Sequence, residues 1–207
     1  IKFLSSPFCI DSFNLLRKFN LDFIKIPSGE ITNLPLLRHI KKFNNNIILS
    51  TGMSNINEIN NALKILRNKN RKIILLHCNT EYPTPLDDVN LNAMQTLKKK
   101  FKLDVGYSDH SLGIQVPIIA ASLGAKIIEK HFTISKKMKG PDHVASLDSK
   151  ELTSMVKAIR STEIILGKKK KFVSKSEKKN VLIARKSLFA AKNIEKGEKF
   201  SLSNLIC

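Results

Sequence analysis

Short apolar runs rich in Ile, Val and Phe alternate along the chain with longer segments in which apolar residues recur at the spacing of a helix. The short runs predict six strands, at residues 2–5, 22–26, 46–50, 72–78, 104–108 and 126–132. The periodic segments predict six helices, near residues 11–19, 34–43, 56–69, 90–101, 112–123 and 149–166. Strands that alternate with helices run parallel and are joined by right-handed crossovers, so the pattern indicates an α/β fold.

Polar residues where the predicted strands end help to choose between two folds. An open doubly wound sheet and a (β/α)8 barrel both fit the element order, but the open sheet concentrates its polar residues at one switch point. Here they follow nearly every strand: Lys25 and Ser28, Ser50 and Thr51, His77, Ser108 to His110, and Glu129 to His131. The pattern therefore favours a TIM barrel. Only six strand–helix units are found, and a complete barrel takes about 250 residues, so we expect a partial barrel without its first two units.

The pattern changes after the sixth helix. Residues 168–182 are a lysine-rich linker, and residues 183–207 contain two short strand patterns separated by a tight turn. So few residues bury too little apolar area to fold alone. We therefore expect a partial barrel at 1–167, a basic linker at 168–182, and the start of a small β-rich domain at 183–207.

Composition narrows the class of protein. Hydrophobic residues make up 42% of the chain and charged residues 26%, as in soluble globular proteins. No run of apolar residues is long enough to span a membrane, and three cysteines are too few for a disulfide framework. We expect a cytoplasmic protein without a membrane partner.

The charge balance is strongly basic. Lys and Arg number 36 against 17 Asp and Glu, a net charge of +19. Such an excess can indicate nucleic-acid binding, but two Tyr and no Trp supply few platforms for base stacking. We expect no nucleic-acid partner, although a basic nucleic-acid-binding protein stays open as an alternative.

Two histidines, His110 and His131, end consecutive predicted strands. The ends of neighbouring parallel strands lie about 5 Å apart, so two imidazoles there can converge on one ion. Two His ligands with positions left for water and substrate are typical of a catalytic divalent metal. Two histidines that only form hydrogen bonds at loop starts would show the same spacing, and this alternative stays open.

An anion site is indicated by one lysine and three serines. Lys25 lies inside an apolar run, where an unpaired ammonium is costly, so we expect it to face an anion at the barrel mouth. Ser28, Ser50 and Ser108 end other strands and can donate hydroxyls to phosphate oxygens. Each serine alone is better explained as a helix cap, but together with the lysine they favour an anion site.

Two loops offer further polar groups over the strand ends. Thr80 and Tyr82 belong to a loop stiffened by two prolines. Asp142 lies in the loop after the last strand and can accept hydrogen bonds from a hydroxylated ligand. These side chains are candidates for contacts with a polar substrate.

Several of these segments resemble the sialic acid synthases of the NeuB type, bacterial enzymes that make N-acetylneuraminate and related nonulosonates. The segments are Lys-Ile-Pro-Ser-Gly-Glu at 25–30, Ile-Leu-Ser-Thr-Gly-Met at 48–53, His-Cys-Asn-Thr-Glu-Tyr-Pro-Thr-Pro at 77–85, Gly-Tyr-Ser-Asp-His at 106–110, Glu-Lys-His-Phe-Thr at 129–133 and Gly-Pro-Asp at 140–142. The end of the chain is similar to the start of that family's antifreeze-like (SAF) domain.

The resemblance implies condensation of phosphoenolpyruvate with an open-chain N-acetylated amino sugar and release of phosphate. It implies that His110 and His131 bind Mn²⁺ or Mg²⁺ and act in catalysis together with Lys25. The phosphoenolpyruvate cradle would comprise Lys25, Ser28, Ser50, Ser108 and Ser6, the last replacing a threonine that is usual in the family. Thr80, Tyr82 and Asp142 would face the sugar.

The resemblance also implies how active the 207-residue chain is and how its full-length parent assembles. The family's first strands and a C-terminal arginine carry active-site residues that this chain lacks, so we expect the 207-residue chain to be inactive or nearly so, and its full-length parent to be a domain-swapped homodimer. Ser-Gly-Glu at 28–30 and His-Cys-Asn-Thr at 77–80 resemble the neuraminate and legionaminate branches. The sugar would be N-acetylmannosamine or 2,4-diacetamido-2,4,6-trideoxymannose. A metal-dependent barrel aldolase is the other alternative.

Overall fold

The computed structural model describes all 207 residues, which divide into two compact units, Ile1–Leu166 and Gly167–Cys207. The first unit contains five strands: β1 (Phe23–Ile26), β2 (Asn46–Ser50), β3 (Ile73–Cys78), β4 (Asp104–Asp109) and β5 (Ile128–Lys130). It also contains six helices: α1 (Ile10–Arg17), α2 (Leu34–Lys41), α3 (Ile56–Leu66), α4 (Ala93–Phe101), α5 (Gln115–Ser122) and α6 (Ser149–Leu166). None of the helices in the chain combines the length and the apolar character that a membrane crossing requires.

The five strands form one parallel sheet in which their order in space is their order in the chain. A doubly wound sheet reverses this order at its switch point, whereas a barrel wall does not. Alternate strand residues such as Leu49 and Leu75 belong to the main core with the helices. On the other face, Ile48, Ile74 and Leu76 form a small separate cluster. The unit is therefore an α/β fold whose sheet curls into a half-barrel, consistent with the predicted partial barrel.

The predicted first strand, at residues 2–5, is wrong. This segment runs beside β1 but shares a single backbone hydrogen bond with it, from the amide of Lys25 to the carbonyl of Ser5 at 3.4 Å. Its other anchors are side chains: Lys2 pairs with Asp22, and the ring of Phe3 lies 6.1 Å from that of Phe19. A strand needs a repeated ladder of backbone bonds, and one bond does not make it.

Helix boundaries differ from prediction at both ends: α1, α2 and α3 end two or three residues early, and α4 and α5 begin three residues late. The predicted helix at 112–123 begins only at Gln115, because Gly113 adopts a positive φ of 71° and the chain turns there. The helix predicted at 149–166 has these bounds in the structure. Asp148 accepts a hydrogen bond from the amide of Glu151, and the carboxylate of Glu151 accepts one from the amide of Asp148, so a reciprocal capping box starts α6.

The second unit contains one helix, α7 (Lys178–Ala184), and a two-stranded antiparallel ribbon of β6 (Phe189–Ala190) and β7 (Leu205–Ile206). Helix α7 begins inside the segment 168–182 that the sequence predicts as a linker, and it ends beyond it. Each strand is only two residues long, shorter than the sequence patterns predict. Most apolar side chains of this unit are exposed, including Leu182 and Phe200.

Candidate active site at the carboxyl ends of the strands

The two predicted metal-binding histidines stand side by side, directly beyond the last paired residues of β4 and β5. Asp109 and Lys130 are the final pair of that ladder, and His110 and His131 are the next residues along each strand. The centres of the two imidazole rings are 5.3 Å apart, and the rings are nearly perpendicular. The convergence expected from strand spacing is therefore present.

The environment of His110 fixes which of its ring nitrogens carries the proton and which one accepts. Its Nδ1 lies 2.5 Å from the carbonyl oxygen of Asn79, which can only accept, so Nδ1 carries the proton. Its Nε2 is then an acceptor, 3.0 Å from the hydroxyl of Tyr82. Burial lowers the pKa of His110, and the neighbouring His131 acts in the same direction. A neutral imidazole with an unprotonated Nε2 is the form that binds a cation, which here would replace the Tyr82 hydroxyl at that nitrogen.

Tyr82 covers both histidines. Its ring centre lies 4.0 Å from that of His110 and 5.3 Å from that of His131. Burial raises the pKa of the Tyr82 hydroxyl, which therefore stays protonated and donates to His110. The proline-containing loop predicted to reach over the strand ends thus places an aromatic hydroxyl on the histidine pair.

Asp142 approaches from the loop that follows β5. One of its carboxylate oxygens lies 3.6 Å from Nδ1 of His131. The loop is held by its own contacts: Thr133 Oγ1 lies 2.7 Å from His143 Nδ1, and both the amide and the hydroxyl of Ser146 donate to the carbonyl of Asp142. Asp142 and Tyr82, both predicted to contact a polar substrate, therefore lie beside the two histidines.

These residues fit a divalent cation held by two imidazoles in an open site. A ligating histidine usually donates its second ring nitrogen to a carbonyl or carboxylate, which is what His110 does toward Asn79. No cluster of three or more His, Cys, Asp or Glu side chains is arranged to enclose a metal. Two imidazole ligands with the remaining positions left for water and substrate are typical of catalytic sites, whereas closed structural sites have four protein ligands.

Lys25 has a protein partner that the sequence pattern does not reveal. Its ammonium is buried and lies 3.2 Å from a carboxylate oxygen of Glu129, and that same oxygen accepts a 2.7 Å hydrogen bond from Ser108. We expected Lys25 to face an external anion, but Glu129 on β5 already supplies a negative charge. Lys25 keeps donor capacity beyond this contact, because an ammonium carries three protons.

The other predicted serines differ in how well their hydroxyls are satisfied. Ser28 accepts a 3.0 Å hydrogen bond from the amide of Gly52 and lies 3.1 Å from the sulfur of Cys78. The hydroxyl of Ser50 is buried and has no hydrogen-bond partner. Buried polar groups are rarely left unpaired, so Ser50 is the donor in this region that lacks a role within the protein.

Not every polar residue at a strand end belongs to this site. His77 donates from Nε2 to the carbonyl of Val89, 3.0 Å away, and burial lowers its pKa. It alternates with Cys78, so it lies on the helix-facing side of the sheet. The sequence predicts polar site residues at the end of nearly every strand. At β3 this prediction includes His77, which lies outside the site.

Comparison with known proteins identifies the family. A family model described as the NeuB family matches residues 1–171. The chain belongs to the NeuB family. A relative from Campylobacter jejuni named N,N'-diacetyllegionaminic acid synthase is 56% identical over 208 residues, covering 99% of this chain and 62% of the relative. A Legionella pneumophila protein of the same name is 41% identical over 211 residues, covering 100% of this chain and 59% of the relative.

A solved structure supports the same membership. The crystal structure of N-acetylneuraminic acid (sialic acid) synthetase from Leptospira borgpetersenii, in complex with citrate, has a TM-score of 0.81 and 38% identity to this NeuB-family chain. The match covers 88% of this chain and 64% of the other. The chain thus spans about three fifths of the length of the relatives that it matches.

Within this NeuB-family fold, the predicted site residues fall into three groups and two outliers. His110, His131, Tyr82 and Asp142 form a histidine cluster, and Lys25 and Ser108 meet at Glu129. Ser28 and Ser50 follow β1 and end β2. Thr80 packs over Gly52, where an added Cβ would lie 2.8 Å from its methyl group, and Ser6 lies half-buried in the N-terminal segment. Neither Thr80 nor Ser6 forms a hydrogen bond with the histidine pair.

Proposed function

We propose that the protein is a nonulosonate synthase, which condenses phosphoenolpyruvate with an open-chain N-acetylated amino sugar and releases phosphate. The observation that carries this proposal is the pairing of His110 and His131 beside a buried lysine on the same half-barrel. Relatives named legionaminic acid and pseudaminic acid synthases support the reaction class.

Phosphoenolpyruvate would bind on the lysine side of the site. Lys25 is buried and keeps free donors, and Ser50 offers a hydroxyl without a partner. Ser28 and Ser108 add hydroxyls from neighbouring strands, and Ser6 would contact the phosphate. Such groups hold and orient an anion more than they transfer protons, and orientation is a major source of rate in a two-substrate condensation.

The sugar would bind on the histidine side. His110 and His131 would hold Mn²⁺ or Mg²⁺, which would supply Lewis-acid polarisation of the sugar aldehyde. The C3 carbon of phosphoenolpyruvate would form the new bond to the aldehyde carbon, and water added at C2 would replace the phosphate that leaves. Tyr82 and Asp142 lie close enough to the histidines to bind hydroxyl or amide groups of the sugar. Thr80, from the same loop as Tyr82, would complete this side.

We propose 2,4-diacetamido-2,4,6-trideoxymannose as the sugar, with N-acetylmannosamine as the alternative. The support is the ranking of relatives: 56% identity to a protein named N,N'-diacetyllegionaminic acid synthase, against 40% to one named pseudaminic acid synthase. The motifs at 28–30 and 77–80 resemble both the neuraminate and the legionaminate branches, so they are compatible with either sugar.

Two further parts of the proposal concern the second unit and the oligomeric state of the full-length protein. We propose that residues 183–207 begin an antifreeze-like domain and that the full-length protein is a domain-swapped homodimer. The alignment with the Campylobacter relative covers 99% of this chain and so extends into this unit.

Activity of the complete gene product tests the reaction. Phosphate release from phosphoenolpyruvate should require both Mn²⁺ and the diacetamido sugar, and the product mass should equal pyruvate plus the sugar. A barrel aldolase would instead condense free pyruvate and release no phosphate. Absence of phosphate release with either sugar would contradict the proposed reaction.

Binding to the 207-residue chain tests the anion site separately. Calorimetric titration with phosphoenolpyruvate should show one site per chain, and Lys25→Met should weaken binding by tenfold or more, because the buried cation is lost. Lys72→Met is the matched control, since Lys72 forms an exposed ion pair with Asp104 at the opposite end of the strands. Equal affinity of Lys25→Met and the parent chain would place the anion elsewhere.

A further inference from the structure

A buried ion pair joins β4 and β5 immediately before the two histidines. Lys130 Nζ lies 2.6 Å from Asp109 Oδ2, and the side chains are 3% and 0% exposed, respectively. These residues are the last rung of the β4–β5 ladder, in direct register. No backbone ladder continues to His110 and His131, so this side-chain pair is the last cross-strand bond before the site.

The same pair also fixes the chain on both sides of His110. Asp109 Oδ1 accepts hydrogen bonds from the amide and the hydroxyl of Ser111, at 3.0 and 2.7 Å. Lys130 donates a further hydrogen bond to the carbonyl of Ser111. Asp109, the residue before His110, and Ser111, the residue after it, are therefore both bound to the buried ammonium of Lys130, which is the residue before His131.

We infer that Asp109 and Lys130 are positioning residues that set the spacing of the two imidazoles for a shared cation, an inference that rests on the proposed function. Neither side chain touches the site itself, because residues that alternate along a strand point to opposite faces. A buried ion pair is weak support for stability, since apolar replacements of both partners are often neutral. Its location at the end of the ladder gives it a different role, which is to keep two ring centres at 5.3 Å.

The decisive variant is Asp109→Asn combined with Lys130→Met. It removes both charges together, so no buried charge is left unpaired, and the asparagine oxygen can still accept from Ser111. The double variant should unfold at nearly the parent denaturant midpoint. Its Mn²⁺ affinity, measured by electron paramagnetic resonance of free Mn²⁺, should nevertheless fall by about 10- to 100-fold, as is typical when residues behind metal ligands are changed.

A metal-free readout separates this inference from the proposed function. In the parent chain, ring protons of His110 and His131 should show a nuclear Overhauser contact, and the double variant should lose it. Lys130→Met alone should show the same loss with lower stability. Arg71→Met is the control, because Arg71 is a buried cation that donates to carbonyls at the ends of α2 and α3, away from the site. It should lower stability and leave both readouts unchanged.

The possible outcomes separate the positioning role from the proposed function. Loss of the ring contact in the double variant, with no Mn²⁺ binding by the parent chain, would support the positioning role and contradict the metal-dependent function. Mn²⁺ binding by the parent with equal affinity and an intact ring contact in the folded double variant would overturn the positioning role and leave the proposed function standing.

Discussion

At the scale of single residues, the chemistry of the site depends on which nitrogen of His110 carries a proton. The carbonyl of Asn79 holds the proton on Nδ1, and the hydroxyl of Tyr82 donates to Nε2. The lone pair that would bind a cation is therefore already engaged by a hydroxyl. A cation and the Tyr82 hydroxyl must compete for it.

This competition predicts the effect of Tyr82→Phe. The aromatic ring stays, but the donor is lost, so Mn²⁺ affinity should rise by up to about tenfold, the equivalent of one hydrogen bond of about 0.5–1.5 kcal/mol. Affinity for the amino sugar should fall. Calorimetric titration of each ligand measures both changes.

Tyr107→Phe is the matched control, since Tyr107 is the other tyrosine and its buried hydroxyl has no hydrogen-bond partner. It should change neither affinity and should not lower the free energy of unfolding. A tenfold loss of Mn²⁺ affinity in Tyr82→Phe would mean that the hydroxyl supports the cation and does not compete with it.

At the scale of elements, β1 to β4 could be predicted because they are buried on both faces. Their apolar runs gave β2 at 46–50 and β1, β3 and β4 within one residue at either end. Strand β5 is only partly buried, and it covers three of the seven residues predicted at 126–132. The segment at 2–5 has the same composition but lacks a ladder, and composition alone does not show this. The pairing of Lys25 with Glu129 could not be predicted either, because it joins β1 to β5, which are not neighbours in the sheet.

The close approach of β4 and β5 predicts a strong effect of Gly106→Ala. A Cβ at Gly106 would meet the backbone carbonyl of Ile127 and lie 2.7 Å from a methyl of Leu76. Backbone atoms cannot move aside cheaply, so we expect a loss of about 1–3 kcal/mol in the free energy of unfolding. Urea denaturation followed by circular dichroism measures it.

Gly29→Ala provides the comparison, since nothing lies within 4 Å of a Cβ added there. Its free energy of unfolding should stay within about 0.5 kcal/mol of the parent value. Equal stabilities of the two variants would contradict the packing of β4 against β5 described above.

At the scale of the whole molecule, the net charge of +19 raises the question of which anion the protein binds. Most of its lysines are exposed, whereas Lys25 is buried beside Glu129. Exposed charges are screened by salt at distances beyond about 10 Å in 0.1 M salt, and buried charges are screened much less. The two kinds of anion binding should therefore respond differently to salt.

Phosphoenolpyruvate affinity should change by less than about threefold between roughly 0.05 and 0.2 M salt, because Lys25 is shielded from solvent. Any affinity for a DNA duplex should fall by about a thousandfold or more over the same range, as expected for contacts between lysines and phosphates. Fluorescence anisotropy with a labelled duplex and calorimetry with phosphoenolpyruvate measure the two dependences. Salt-resistant duplex binding would favour the nucleic-acid alternative.

The central claim is that two imidazoles on neighbouring strand ends hold one divalent cation. Mn²⁺ titration of the 207-residue chain, followed by electron paramagnetic resonance, tests it most directly. We predict one site per chain that is lost in both His110→Ala and His131→Ala and kept in His39→Ala, where the histidine instead contacts Asn14. Mn²⁺ binding that survives either of the first two substitutions with unchanged affinity would contradict the claim.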